Sequence, residues 1–369
     1  MRRLLLAAGF LAAIVFATPC QAWHEVGHML TTLVAYKLLS PGDTPSQAVK
    51  RLVAILRHHP RFEEDFAQSI PKGLNEDGEA RWLLCRAAVW PDQVRTAKPN
   101  KPLYPPLPAQ QGSYNRSPWH FIDTPLVILA YGSSDDQAKA LEEKARTNLN
   151  LSTEVPADEK DVKNILQAIG FNRERFVHGN PAEQAVALCW LLHTLGDIHQ
   201  PLHACVAFSV RTLDPEHHHQ GDGGGNGIRL ADKKSLHGIW DAAPDDSPDP
   251  VYDKDESFDQ RYDRAYARAL KQIGPLLADA DLIAKGKTAA DEKDPKQWAR
   301  ESFELAKEKV YVPEIRKRII AADQDDKKPA RGVFVYLPDG YVDRAHEIGK
   351  LRVVQAGYRT AEFLKSVLQ

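Results

Sequence analysis

The stretch "LCWLLHTLGDIHQPLHA", residues 188–204, sets three histidines and one aspartate among leucines. Leu188, Leu191, Leu192, Leu195 and Ile198 recur at helical spacing and form an apolar stripe. His193 and Asp197 stand four residues apart, so they share one face of that helix. Polar groups on a buried helix are costly unless something satisfies them. Upstream, Asn180 can cap the helix, Pro181 suits its first turn, and Glu183 completes a capping-box start. Pro201 ends it. His203 lies beyond that break, so its side chain can point away from the His193–Asp197 face.

Outward from this helix, most of the chain repeats the same periodicity. Val26, Leu30, Leu33, Val34 and Leu38 predict a first helix ending at "SPGD", and residues 46–66 a second. "EARWLLCRAAVWPDQVR" reads as a third, stopped at Pro91 because proline cannot continue a helix interior. Residues 97–118, rich in proline and polar residues, read as a long surface loop. Residues 135–149 and 158–177 read as helices. Residues 205–234 read as a loop carrying "HHHQGDGGGNG", and "SLHGIWD" opens another helix. The acidic, proline-rich 242–257 stretch reads as a surface loop. Phe258–Leu277, Trp298–Ile320 and Val342–Leu368 read as amphipathic helices, with "AKGKTAADEKD" as a charged connector. Few strand signals and no internal repeat occur. The expectation is an all-α, mostly helical single domain over residues 23–369.

The full chain has 369 residues with 43% hydrophobic and 27% charged content, a globular balance rather than a disordered one. The formal net charge of −2 means that a polyanionic partner must be attracted by a local site, not by overall charge. The opening "MRRLLLAAGFLAAIVFATPCQAW" has a basic end, a short apolar run from Leu4 to Phe16, and small residues from Thr18 to Ala22. That pattern predicts a secretory signal peptide, residues 1–22, cleaved after Ala22. The run is short for a spanning helix. Cleavage makes the protein exported, periplasmic or secreted, with no membrane partner afterwards. Cleavage also removes Cys20, leaving Cys85, Cys189 and Cys205, an odd number that requires at least one free thiol or an intermolecular bridge. With no Cys-x-x-Cys pair, the chain lacks a thiolate zinc signature.

His237 and Asp241 repeat the four-residue spacing of His193 and Asp197 in a second helix. Imidazole and carboxylate on one face are ordinary zinc ligands. Asp92 in "VWPDQVR" and His120 in "SPWHFIDTP" add two more candidates. Any one of these alone is most often a hydrogen-bonded or surface residue; together in one chain they point to a metal centre.

The chain resembles the zinc-dependent single-strand-specific nucleases and 3′-nucleotidases, a secreted family related to bacterial zinc phospholipase C. The matching pieces, in the family's order, are "WHEVGH", "WPDQVR", "WHFID", "HTLGDIHQPLH", "GDGGGN" and "LHGIWD". "WARESFELAKEKVY" and "IGKLRVVQAGYRTAEFL" extend the resemblance nearly to the C-terminus. It implies an α-helical domain with three zinc ions at the bottom of a cleft. Asp92, His120, His193 and Asp197 would hold one ion. Trp23 and His28 would hold a second, with Asp197 bridging, and His203, His237 and Asp241 the third. Trp23 would contribute its free α-amino group and its own carbonyl, so the ligand exists only after signal cleavage. That amine, with a free pKa of about 8, must be neutral to bind.

The resemblance further implies hydrolysis of single-stranded DNA and RNA to 5′-nucleotides, with 3′-nucleotidase activity, by metal-activated hydroxide attack on phosphorus. Three divalent ions against Asp92, Asp197 and Asp241 leave a net positive site that holds a phosphodiester in an acidic protein. Asp92 and Asp197 would be catalytic as well as ligands. Arg95 would stabilise charge developing on the phosphate. Phe121 would stack a base, a contact worth about 1–3 kcal/mol, and Asp123 would hydrogen-bond it. Asn226 would lie near substrate. In the Gly-rich loop Gly223 stands where the family often has a basic residue, and "GDGGGNG" lacks the ending of a P-loop. His199 reads as a supporting residue, His217–His219 as a solvated polar run, and Trp119, Trp190 and Trp240 as core walls. The partners expected are single-stranded nucleic acid and 3′-nucleotides, the protein being a monomer. Two other readings use the same residues: a phospholipase C-like phosphodiesterase and a non-catalytic zinc-binding secreted protein. The first is disfavoured by Asp241, where that branch typically carries glutamate.

Overall fold

The computed structural model describes residues 23–95, 114–232, 234–247, 257–325 and 332–368. The expected signal peptide and most of the proline-rich 97–118 segment lie outside the described residues. Among those described, helix dominates, as the periodicity predicts.

Helix α1 (Glu25–Leu39) and helix α7 (Pro181–Asp197) are the inner members. In α1, 13 of 15 residues are buried, and in α7 every residue from Ala187 to Asp197 is. A helix buried all round lies inside the core rather than on its surface, so the predicted stripe on α7 is wider than expected. The predicted capping box forms: the Asn180 side chain accepts the Ala182 and Glu183 N–H groups, and Glu183 reaches back to the Asn180 N–H. Around this pair pack α2 (Gln47–Leu56), α4 (Glu76–Arg95), α6 (Ile165–His178), α9 (Phe258–Ala278) and α13 (Tyr341–Val367). Short α3 (Phe62–Asp65) and α5 (Asp135–Arg146) lie between them in sequence. A second apolar cluster gathers Trp23, Leu202, Leu236, Trp240, Tyr311, Ile315 and Tyr341 around α8 (Leu236–Asp241) and α12 (Pro313–Gln324).

Several boundaries differ from the sequence reading. Helix α4 does not stop at Pro91 but runs through it to Arg95. Burial of Trp90, Pro91 and Gln93 outweighs the lost N–H bond. The charged 284–294 segment is mostly helix α10 (Ala280–Ala289), started by the Asp279 side chain on the Asp281 and Leu282 N–H groups. The segment 298–320 is not one helix: α11 (Pro295–Leu305) passes into a π turn (Ala306–Val310), and Pro313 opens α12. The 158–177 helix begins only at Ile165, capped by Asn164. The start of the 242–257 loop is not on the surface: Asp245 is buried against Arg268 and Gln272. Two small parallel pairs were not predicted: β1 (Pro125–Val127) with β2 (Val206–Phe208), and β3 (Ile228–Arg229) with β4 (Val333–Phe334). Cys85, Cys189 and Cys205 are all buried and free.

Candidate metal centre

Six separate pieces of chain bring eight predicted ligands together. Helix α1 carries His28 and α4 carries Asp92. The 3₁₀ turn Ser117–His120 carries His120, and α7 carries His193 and Asp197. The 3₁₀ turn Pro201–His203 carries His203, and α8 carries His237 and Asp241. Their donor atoms form three groups, each within 4.8 Å: His28, His193 and Asp197; Asp92, His120 and His193; His203, His237 and Asp241. The two four-residue pairs close as the helical period requires, at 2.9 Å for His193 Nε2 to Asp197 Oδ2 and 3.2 Å for His237 Nε2 to Asp241 Oδ2. Asp197 stands in the middle. Its Oδ1 lies 3.3 Å from His28 Nε2 and 3.6 Å from His203 Nδ1, while Oδ2 lies 3.1 Å from His120 Nδ1.

The imidazoles are turned for ligation. Nδ1 of His193 lies 2.7 Å from the Ala88 carbonyl, that of His203 2.8 Å from the His120 carbonyl, and that of His237 2.7 Å from the Gly224 carbonyl. An Nδ1–H donating to a carbonyl fixes the tautomer and leaves Nε2 with its lone pair. Those lone pairs then face carboxylate oxygens, an arrangement that could hold a cation. Burial works against charge at Asp197, yet the His193, His203 and His28 imidazoles hold its carboxyl well below the usual range. Burial likewise opposes a charged His193, but Asp197 and Asp92 outweigh it and raise that imidazole. Burial and the neighbouring His193 lower His28 despite Asp197. Nδ1 of His28 has no hydrogen-bond partner, although the residue is buried. Such an orphan costs about 1–3 kcal/mol. A nitrogen-and-carboxylate donor set with an unsatisfied buried atom fits a zinc-like ion.

Trp23 is fully buried, and its indole Nε1–H donates to the Gly196 carbonyl at 2.9 Å, one residue before Asp197. The next residue, His24, donates its N–H to the Asp241 carbonyl at 3.0 Å. Residues 23 and 24 are thus tied to two of the ligand-bearing helices, α7 and α8. Sequence reasoning missed several supports. Gly196 permits the approach of α1: a Cβ there would stand 3.1 Å from His28 Nδ1. Buried Asp222 accepts the Ala207 N–H at 2.9 Å and the Tyr311 hydroxyl, anchoring the Gly-rich loop whose Gly224 carbonyl holds His237. Buried Gln200 bonds Asp241. The cost of burying polar groups in residues 188–204 would have flagged Gln200, because it too sits among leucines and ligands.

The predicted substrate residues are less gathered. Phe121 and Asp123 are half-buried beside His120, and the segment that carries them is tied to the His203 turn by the Ile122 N–H, which donates to the His203 carbonyl. Burial, with the Asp222 carboxylate adding, raises Asp123 to about 7 against the pull of His237. Asn226 is half-buried and donates its side-chain N–H to the Gly223 carbonyl at 2.9 Å, bracing its own loop. The Arg95 side chain lies outside the described residues. Trp119, Trp190 and Trp240 are buried, as expected of core walls. His199 is buried and apart from the three donor groups: its Nδ1 meets the Leu195 carbonyl and its Nε2 meets Arg359. His217 is exposed but not merely solvated, pairing with Asp214 at 2.7 Å beside Lys144. A cavity of about 540 Å³, lined by Leu166, Trp298, Arg359 and Phe363, lies away from all eight ligands.

A family model described as S1/P1 Nuclease matches residues 23–369. Among curated proteins, "Endonuclease 3" of Arabidopsis thaliana is 29% identical over 49% of this chain and 48% of its own length. "Endonuclease 1" of the same plant is 26% identical over 65% of this chain and 59% of its own length. In each case the match spans less than two thirds of the relative.

Proposed function

The chain belongs to the S1/P1 nuclease family, and from there we propose that it is a zinc-dependent phosphodiesterase. It hydrolyses single-stranded DNA and RNA to 5′-nucleotides and acts on 3′-nucleotides. The observation that carries this reading is the convergence of five histidines and three aspartates from six pieces of chain, with three imidazoles oriented by backbone carbonyls.

Asp92, His120, His193 and Asp197 hold one zinc; His28, the Trp23 amine and carbonyl, and Asp197 a second; His203, His237 and Asp241 a third. When bound, the ions supply Lewis acidity and a water acidic enough to ionise near neutral pH. The rest belongs to the chain. Asp197 presents one oxygen toward His28 and the other toward His120 and His193, so its geometry suits a bridge. Export with cleavage after Ala22 frees the Trp23 amine, which makes activity conditional on processing. Arg95, three residues after Asp92, stabilises charge gathering on the phosphate. Phe121 stacks an unpaired base and Asp123 hydrogen-bonds its edge. Bases in a duplex are not free for this contact, which gives the preference for single strands.

The test compares purified protein beginning at Trp23 with protein carrying one extra residue before it, each on single-stranded and duplex DNA, with and without chelator. Chelator-sensitive cleavage of the single strand that falls sharply in the extended protein supports the reading. Chelator-insensitive cleavage, or none with zinc bound, removes it.

A further inference from the structure

We infer that Gln200 is a positioning residue for the third metal group, a role resting on the metal-centre reading above. Gln200 is fully buried and sits between Asp197 and His203 in sequence. Each end of its amide has a separate task. The Nε2–H donates to Asp241 Oδ1 at 2.7 Å. The Oε1 accepts the Leu202 N–H, which makes Gln200 the N-cap of the Pro201–His203 turn. The Gln200 carbonyl also accepts the His203 N–H at 3.0 Å. One residue therefore fixes the turn that carries His203 and the carboxylate that completes the same group.

The choice of residue fits the double task. Helix N-caps prefer Ser, Thr, Asp or Asn, whose short side chains reach back to the backbone. Glutamine is a poor cap by that measure, but its extra methylene lets the second end span to α8. Its neutral amide also donates to Asp241 without adding charge, leaving Oδ2 directed at His237 Nε2. His237 itself is oriented from the opposite side by the Gly224 carbonyl. Partners of this kind orient ligands and typically set metal affinity by about 10–100-fold.

Two variants separate positioning from simple capping. Gln200→Leu removes both bonds. Gln200→Glu keeps an oxygen for the Leu202 N–H but replaces the donor to Asp241 with a second carboxylate. Protein beginning at Trp23 would be stripped of metal and titrated with zinc against a chromophoric chelator, with bound zinc counted by elemental analysis. Thermal unfolding of the stripped forms runs in parallel. Wild type is expected to bind three equivalents. In both variants one equivalent weakens about 10–100-fold while two keep their affinity. Wild-type affinity in Gln200→Glu would reduce Gln200 to a cap and overturn the inference, as would three unchanged equivalents in Gln200→Leu. Fewer than three equivalents in wild type would instead overturn the metal-centre reading, and this inference with it.

Discussion

Asp197 faces four imidazoles from four pieces of chain, with contacts from 2.9 to 3.6 Å. No other carboxylate among the described ligands meets so many. Asp197→Asn keeps the volume but loses the charge that neighbouring ions would share. The variant is expected to retain less zinc than wild type and to lose about 100-fold or more of its activity, the scale of removing a group that stabilises developing charge. Elemental analysis and single-strand cleavage check both; full zinc with full turnover would remove the bridge. Asp123 lies outside the three donor groups, so Asp123→Ala should leave zinc content intact. Nucleotide KM is expected to rise about tenfold, the worth of one hydrogen bond. Metal loss in that variant would mean that Asp123 supports the centre rather than the base. At this scale the sequence was informative: the four-residue spacings exposed His193, Asp197, His237 and Asp241. Gln200, Asp222 and Gly196 stayed hidden because their roles depend on contacts with distant segments, which no local spacing encodes.

Helix α4 illustrates what is lost at the scale of elements. A proline in mid-helix predicts a stop, and the chain instead continues through Pro91 to Arg95. The proline gives no N–H to the Ala87 carbonyl, and its ring crowds the turn before it. One residue on, the Ala88 carbonyl accepts His193 Nδ1. Pro91→Ala restores an N–H to the ladder but gives up burial of the ring, so the stability of metal-free protein is expected to change by well under the ~3 kcal/mol of an interior proline. If the proline sets the position of the Ala88 carbonyl, the same change weakens zinc retention about tenfold. Denaturant unfolding and chelator competition measure the two effects, and an unchanged zinc affinity would show that the proline plays no part in orienting His193. Helices α7, α9 and α13 were legible because their apolar residues recur over many turns. The strand pairs β1–β2 and β3–β4 were not, because two or three residues carry no period, and α10 was not because its buried face is only Gly286 and Ala289.

Across the whole molecule, the ligands lie where two apolar clusters meet. Leu195 and Ile198 belong to one, and Trp23, Leu202 and Leu236 to the other. Losing the ions should therefore loosen the junction between the clusters. Acid adds a second stress. Burial, with Arg352 and Arg359 adding, lowers His199 well below its ordinary value, and burial lowers His59 to about 3. His199 Nε2 already accepts from Arg359 at 3.0 Å, so a proton there would face a guanidinium. Both residues stay neutral when folded but bind a proton when unfolded below pH about 6.5. Their contribution is thus fully present above that pH and is lost as pH falls toward the folded pKa. Each gives a slope of about 1.4 kcal/mol per pH unit. Denaturant unfolding of metal-free protein from pH 7 to 4 should show a shallower slope in His199→Asn than in wild type. Equal slopes would mean that His199 is not held neutral.

The most direct measurement of the central claim is a zinc titration of metal-stripped protein beginning at Trp23, read as the rate of single-stranded DNA cleavage against equivalents bound. Cleavage is expected to be absent in the stripped protein, to rise with bound zinc and to level off at three equivalents. Cleavage without metal, or three bound equivalents with no cleavage, would contradict it.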